Sequence, residues 1–293
     1  MSSPAVRALL AALLLLPLAA CDETTDPGAE VSVVVDDAVA ARQGGRYDQA
    51  VALLRGALER QPDNAEVRVE LATTLLQRDG VGLVDLDRVA QFLAGPAGGT
   101  TGARVARRGG ACDLAGDPTA TVIDPTDFYG FDAIRSKLGT LAEADSALSP
   151  VIPPSLRGFD VCTSVVDGAL AYDREGALRQ MAAQGLSEAQ VAQALAVNAL
   201  ATFLDAYAFV ADELPQQTTW YRRADGSIAI CVEDEDALRA QAERAVTEAG
   251  EAVLSLDARA SLVGAGSVAA DLVEAALDGY EQLRSAVGDY CEA

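Results

Sequence analysis

The chain contains no histidine. That removes the side chain most used as a general base near neutral pH and most used to ligate transition metals. Serine–histidine and cysteine–histidine nucleophilic sites are excluded with it, as are histidine-ligated zinc sites. Lysine is nearly missing too: Lys137 is the only one, and arginine carries the remaining basic charge. Positive charge is scarce overall, with 22 basic residues against 44 acidic ones and a formal net charge of −22. A surface of that sign repels nucleic acid and anionic lipid headgroups alike. The N-terminal apolar run, Ala8 to Leu16, is too short for a bilayer core of about 30 Å, which takes roughly 20 helical residues.

What the N-terminus does contain is the layout of a secretory signal. Arg7 precedes the apolar run, and Pro17 breaks it ahead of small residues. The stretch Leu18-Ala19-Ala20-Cys21 resembles the lipobox of bacterial lipoproteins, where a signal peptidase cuts before the cysteine and its sulfur carries diacylglycerol. The resemblance implies a signal peptide at 1–20, lipid on Cys21, and a bilayer as the first partner. It also implies a place in the cell envelope, facing the periplasm or the cell surface. Two acyl chains on the thioether, usually three with the amine, satisfy the two-signal requirement for stable anchoring. Residues 21–30 are polar and poor in helix formers, and read as a lipidated tether.

Four cysteines lie beyond Cys21: Cys112, Cys162, Cys231 and Cys291. An even number in an exported, oxidising compartment points to two disulfides. Widely spaced cysteines without CxxC pairs argue against a four-thiolate zinc site. Spacing alone allows three connectivities. Placement favours Cys112 with Cys162, pinning a long loop, and Cys231 with Cys291, tying down a chain end.

Residues 31–94 read as two helix pairs. Gly45, Tyr47, Ala50, Leu54, Ala57 and Pro62 follow one another in a fixed pattern. Ala50, Leu54 and Ala57 share one helix face whose small residues permit a close neighbour, while Gly45 and Pro62 end the helices. The segment resembles a tetratricopeptide repeat, with Ala38 at the small position of the first helix. Asp37 and Ala41 depart from the family, which favours large apolar residues there. Ala65 to Arg78 repeats the first helix, with Leu71, Ala72 and Leu75 standing 34 residues after Asp37, Ala38 and Ala41. Its expected partner is Leu86 to Leu93.

Residues 95–130 are rich in Gly and Asp-Pro-Thr turns and read as a loop region without regular structure. A C-terminal helical region is expected over 131–293. Helical patterns run over Gly130–Leu148, Val161–Ala183 and Ser187–Glu213, then near Asp234–Leu254 and Ser267–Tyr290. Ser187 with Gln190 forms a capping box. Along the third of these helices, Asn198, Thr202 and Asp205 fall in one narrow stripe. That stripe is the candidate lining of a small-ligand pocket; the plainer reading is the solvated edge of a buried helix. An Asp-Gly turn between Thr218–Arg223 and Ser227–Val232 predicts one β-hairpin. Its Trp220 and Tyr221 either anchor a partner or cap the core.

Two acidic groups invite a calcium reading: Glu233 to Asp236, and Asp124, Asp127 and Asp132. The first complements a helix start and the second lacks EF-hand spacing. The expected fold is therefore all-α, an antiparallel helical array with tetratricopeptide-like pairs at its start and one small hairpin. The expected function is a non-enzymatic protein-binding scaffold at the envelope, with no cofactor, no metal and no nucleic acid. The alternative is a periplasmic small-ligand binder.

Overall fold

The computed structural model describes residues 27–81, 104–106, 121–123, 136–166, 169–222, 224, 228–232 and 235–264, with 273, 274 and 277. The described residues are mostly helical. Helix α1 spans Pro27–Gln43, α2 Tyr47–Arg60 and α3 Ala65–Arg78. Small and β-branched residues at a 3–4 spacing set the inner face of α1, where Val31, Val35, Ala38 and Ala41 are buried. Gly45, at φ 73°, turns the chain into α2. Ala50, Val51, Leu54 and Ala57 bury the opposing face. Asn64 caps α3, its Oδ1 accepting from the Val67 N–H at 3.1 Å. Both ends of α3 fall where the sequence places them.

The Asp37 departure has a plain cause. Asp37 is exposed on α1, whereas Leu71, one repeat later, is 5% exposed. Among the described residues no helix precedes α1, and there that position faces water.

The expected partner at Leu86–Leu93 lies outside the described residues. A helix farther along, α4 (Leu138–Leu148), packs on α3. Its buried Thr140, Leu141, Ala144 and Ala147 repeat the spacing of Ala50, Val51, Leu54 and Ala57 in α2. The two ends of the intervening segment are joined at the base of this pair. Thr140 Oγ1 donates to the Asp79 carboxylate, and Lys137 Nζ donates to the Gly80 carbonyl at 3.2 Å. Arg78 and then Thr140 hold the Asp79 carboxyl below its usual range. The array continues in the same way: helix α7 (Glu188–Gln217) packs against both α3 and α4, and α8 (Glu235–Val263) packs along α7.

Two expectations need correction. Val161–Ala183 is not one helical stretch. It divides into a single turn α5 (Val161–Ser164), a two-stranded ladder β3–β4 (Val165–Val166 and Ala169–Leu170), and α6 (Arg174–Ala183). Two valines before an Asp-Gly dipeptide favour extended chain, a local signal that the helical spacing conceals. Nor is 95–130 without regular structure. Strands β1 (Arg104–Ala106) and β2 (Thr121–Ile123) flank the expected hairpin, β5 (Thr218–Arg222) and β6 (Ile228–Val232), in the order β1-β6-β5-β2. β1 runs parallel to β6, and β2 antiparallel to β5. Strands of three residues are too short for alternation to show, and their partners lie about a hundred positions away in sequence. No described helix is long and apolar enough to cross a membrane.

Phe159, 2% exposed, lies against the backbone of α8 at Gly250, where even a β-carbon would collide with the ring. Tyr172 donates to Asp257 Oδ2 at 2.7 Å and so ties the segment before α6 to α8. Cys231 is buried in β6, while Cys112 and Cys291 lie outside the described residues, as do Cys21 and its tether.

Ala50 is fully buried between helices. Ala50→Glu places an unpaired charge in that contact and is expected to destabilise the protein by about 3 kcal/mol or more. A thermal melt checks it; an unchanged midpoint contradicts the packing of α1 on α2.

Candidate functional site

The expected pocket-lining stripe lies on α7, facing α8. Asn198 is 3% exposed and Thr202 8%. Asn198 Nδ2 donates to Ser255 Oγ of α8 at 3.0 Å, and Thr202 Oγ1 donates to the Asn198 carbonyl at 2.8 Å. The stripe is therefore not a solvated edge: its first two residues are buried, and Asn198 meets Ser255 of the neighbouring helix. Asp205 is half-buried, and burial pushes its carboxyl above the usual range, with Arg244 opposing the shift. Helical periodicity correctly brings the three residues onto one face. What it does not reveal is that the face meets another helix. The other candidate aromatics are similarly withdrawn: Trp220 and Tyr221 are 7% and 9% exposed, and Trp220 Nε1 donates to Thr218 Oγ1. Both rings are buried at the strand, so neither stands exposed to solvent. No cluster of potential metal ligands occurs among the described residues, and the acids at 124–132 and 233–234 lie outside them.

A second polar constellation joins the first helices of the successive pairs. Glu70, in the middle of α3, is 8% exposed. Its Oε2 lies 3.0 Å from Arg42 Nη2 of α1. Its Oε1 accepts from Gln193 Nε2 of α7 at 3.2 Å, and the same amide donates to Thr73 Oγ1 at 2.9 Å. One turn away, Gln190 Nε2 donates to Glu66 Oε1 at 2.7 Å. Arg42, Glu66, Glu70, Thr73, Gln190 and Gln193 thus form a polar strip across α1, α3 and α7. Capping fixes its far end, because Ser187 and Gln190 form the expected capping box that starts α7. The sequence reading passes over this strip, although a signal is present. Glu66, Glu70 and Thr73 stand four and three apart, on one face of the helix.

Chemically the strip holds amides, carboxylates, one hydroxyl and one guanidinium, joined to one another by hydrogen bonds and an ion pair. Its geometry supports cohesion between helix pairs and a polar surface between them. Because the Arg42–Glu70 pair is nine-tenths withdrawn from water at Glu70, its partners are coupled. A double-mutant cycle of Arg42→Ala and Glu70→Ala is expected to return an interaction energy between about 0.5 and 3 kcal/mol. Additive single effects in chemical denaturation contradict the pairing.

The tetratricopeptide repeat family matches residues 41–79, the end of α1 with all of α2 and α3. No curated protein and no solved structure matches the chain. Repeats of that family are generally protein-interaction modules, and the described helices around the matched residues pack in pairs.

Proposed function

We propose that this chain is a lipid-anchored protein of the bacterial cell envelope whose helical-repeat body serves as a non-enzymatic scaffold for a protein partner. One observation carries the scaffold reading. The family match over 41–79 falls on α2 and α3, and the packing of α4, α7 and α8 extends the same helix-pair logic beyond it. Repeats of this kind stack so that each covers its neighbour and together present an extended surface. The anchor is a reading of Leu18-Ala19-Ala20-Cys21 and of the polar tether behind it. An acidic body needs such an anchor, because its charge opposes adhesion to anionic lipid. Two disulfides, Cys112 with Cys162 and Cys231 with Cys291, belong to the same reading of an exported chain.

The rival reading is a small-ligand binder among the C-terminal helices. A single observation favours it: Asn198 Oδ1 is buried without a hydrogen-bond partner. The burial of Asn198 and Thr202, with Ser255 of α8 against Asn198, weighs against it, since a pocket needs open volume beside its polar groups.

Two measurements test the proposal. Membrane fractionation of Cys21→Ser is expected to find uncut or soluble protein, and a processed variant retained at the membrane refutes the lipid anchor. Purification of the anchored protein in mild detergent is expected to yield a stoichiometric protein complex. A co-purifying small molecule with no protein partner refutes the scaffold in favour of the binder.

A further inference from the structure

Where α4, α7 and α8 meet the segment after the Pro154–Leu156 turn, four carboxyl groups share two guanidinium groups. α4 contributes Asp145 and α7 contributes Asp205. α8 contributes Arg244, Glu248 and Glu251, spaced to lie along one helix face. The segment contributes Arg157 and Gly158. Arg244 Nε donates to Glu248 Oε1 at 2.8 Å, and the Gly158 N–H donates to Glu251 Oε1. Arg157 Nη1 donates to Ser149 Oγ at 2.8 Å, while its Nη2 lies 3.8 Å from Asp145 Oδ1. Glu248 Oε2 and Arg157 Nη2 are buried without a hydrogen bond. Among the described residues negative charge exceeds positive charge here, at a helix junction partly withdrawn from water.

We propose that this junction is a proton-responsive joint, in which the carboxyl groups of α4, α7 and α8 are over-charged at neutral pH and the helices pack more firmly as the medium turns mildly acidic. Taking a carboxylate out of water disfavours its ionised form, and like charges on neighbouring helices add to the effect. Burial is the main reason that Asp205, Glu248 and Glu251 each hold a proton more tightly than a free carboxyl. Asp145 adds repulsion at Asp205 and Glu251, and Asp205 and Glu251 add it at Glu248. Arg244 opposes the shift at Asp205 and Glu248. The Gly158 N–H and Arg157 oppose it at Glu251.

The sign follows from linkage. These groups take up protons at a higher pH when folded than when unfolded. Through that window the unfolded chain binds fewer protons, so stability rises as pH falls from neutral toward the ordinary carboxylate range near about 4. Asp79 behaves oppositely, because its carboxyl is held low. Its contribution persists through mild acid and is lost only as pH falls further, through its own depressed range. The three shifted groups stand on the faces that hold α8 against α7 and the Arg157 segment, so protonation acts on the docking of that last long helix.

The test compares thermal melts of the full-length protein, in non-ionic detergent, at about pH 7.5 and about pH 5.5. Salt of about 1 M shortens the Debye length to roughly 3 Å and suppresses the general repulsion of an acidic surface. Asp205→Asn is set beside Asp37→Asn, which removes the same charge from an exposed position on α1. Asp205→Asn is expected to melt above the wild type at the higher pH, with the gap closing at the lower one, while Asp37→Asn follows the wild type at both. The joint is overturned if Asp205→Asn melts lower at the higher pH, if its gap does not change with pH, or if Asp37→Asn behaves identically. Should Asp205→Asn fail to melt cooperatively, carbon NMR titration of the wild-type carboxyls decides. Three resonances titrating above the remainder uphold the joint, and a single ordinary population refutes it.

Discussion

A helix enclosed by other helices has nowhere to place a polar side chain except against protein, and α3 carries three such side chains. Glu70, Thr73 and Thr74 are all buried. The two threonines donate back to the carbonyls of Val69 and Glu70, one turn earlier, at 2.8 and 2.7 Å. Glu70 has no such local solution. It must find Arg42 on one neighbouring helix and Gln193 on another. A buried carboxylate stripped of those partners is worth several kcal/mol of instability, so the placement of α1 and α7 against α3 is constrained by this one side chain.

From that constraint the array extends by repetition. α2 and α4 bury residues at the same spacing, and α7 lies across α4 and α3 as α3 lies across α2 and α1. The long segment between α3 and α4 does not disturb the pattern, because its two ends are fastened together by Asp79 with Thr140 and by Lys137 with Gly80. Loop closure entropy grows only slowly with length, so a long excursion costs little once its base is fixed. Two of its short stretches return to the hairpin between α7 and α8 as β1 and β2. They widen a two-stranded element, marginal by itself, into a four-stranded one.

Features with a local physical cause are legible in the sequence. The ends of α3, the capping box at Ser187, the Gly45 turn and the hairpin strands each follow from side chains within a few residues of the feature. Features that depend on distant partners are not. Three-residue strands carry no periodicity. The pairing of α3 with α4 is concealed by the segment between them. The Asn198 stripe shows the same divide: spacing tells which residues share a face, whereas burial by Ser255 and its neighbours on α8 is a tertiary fact. The spacing of Glu66, Glu70 and Thr73 on one helix face is legible, yet their partners on α1 and α7 are not.

If α3 is the element on which the other helices depend, its backbone opens only when the whole array does. Native-state hydrogen exchange of the full-length protein measures this directly. The amides in the middle of α3, from Val69 to Leu76, are expected among the slowest, exchanging with the free energy of global unfolding. Exchange of these amides as fast as those of the outer helix α1 would contradict the account.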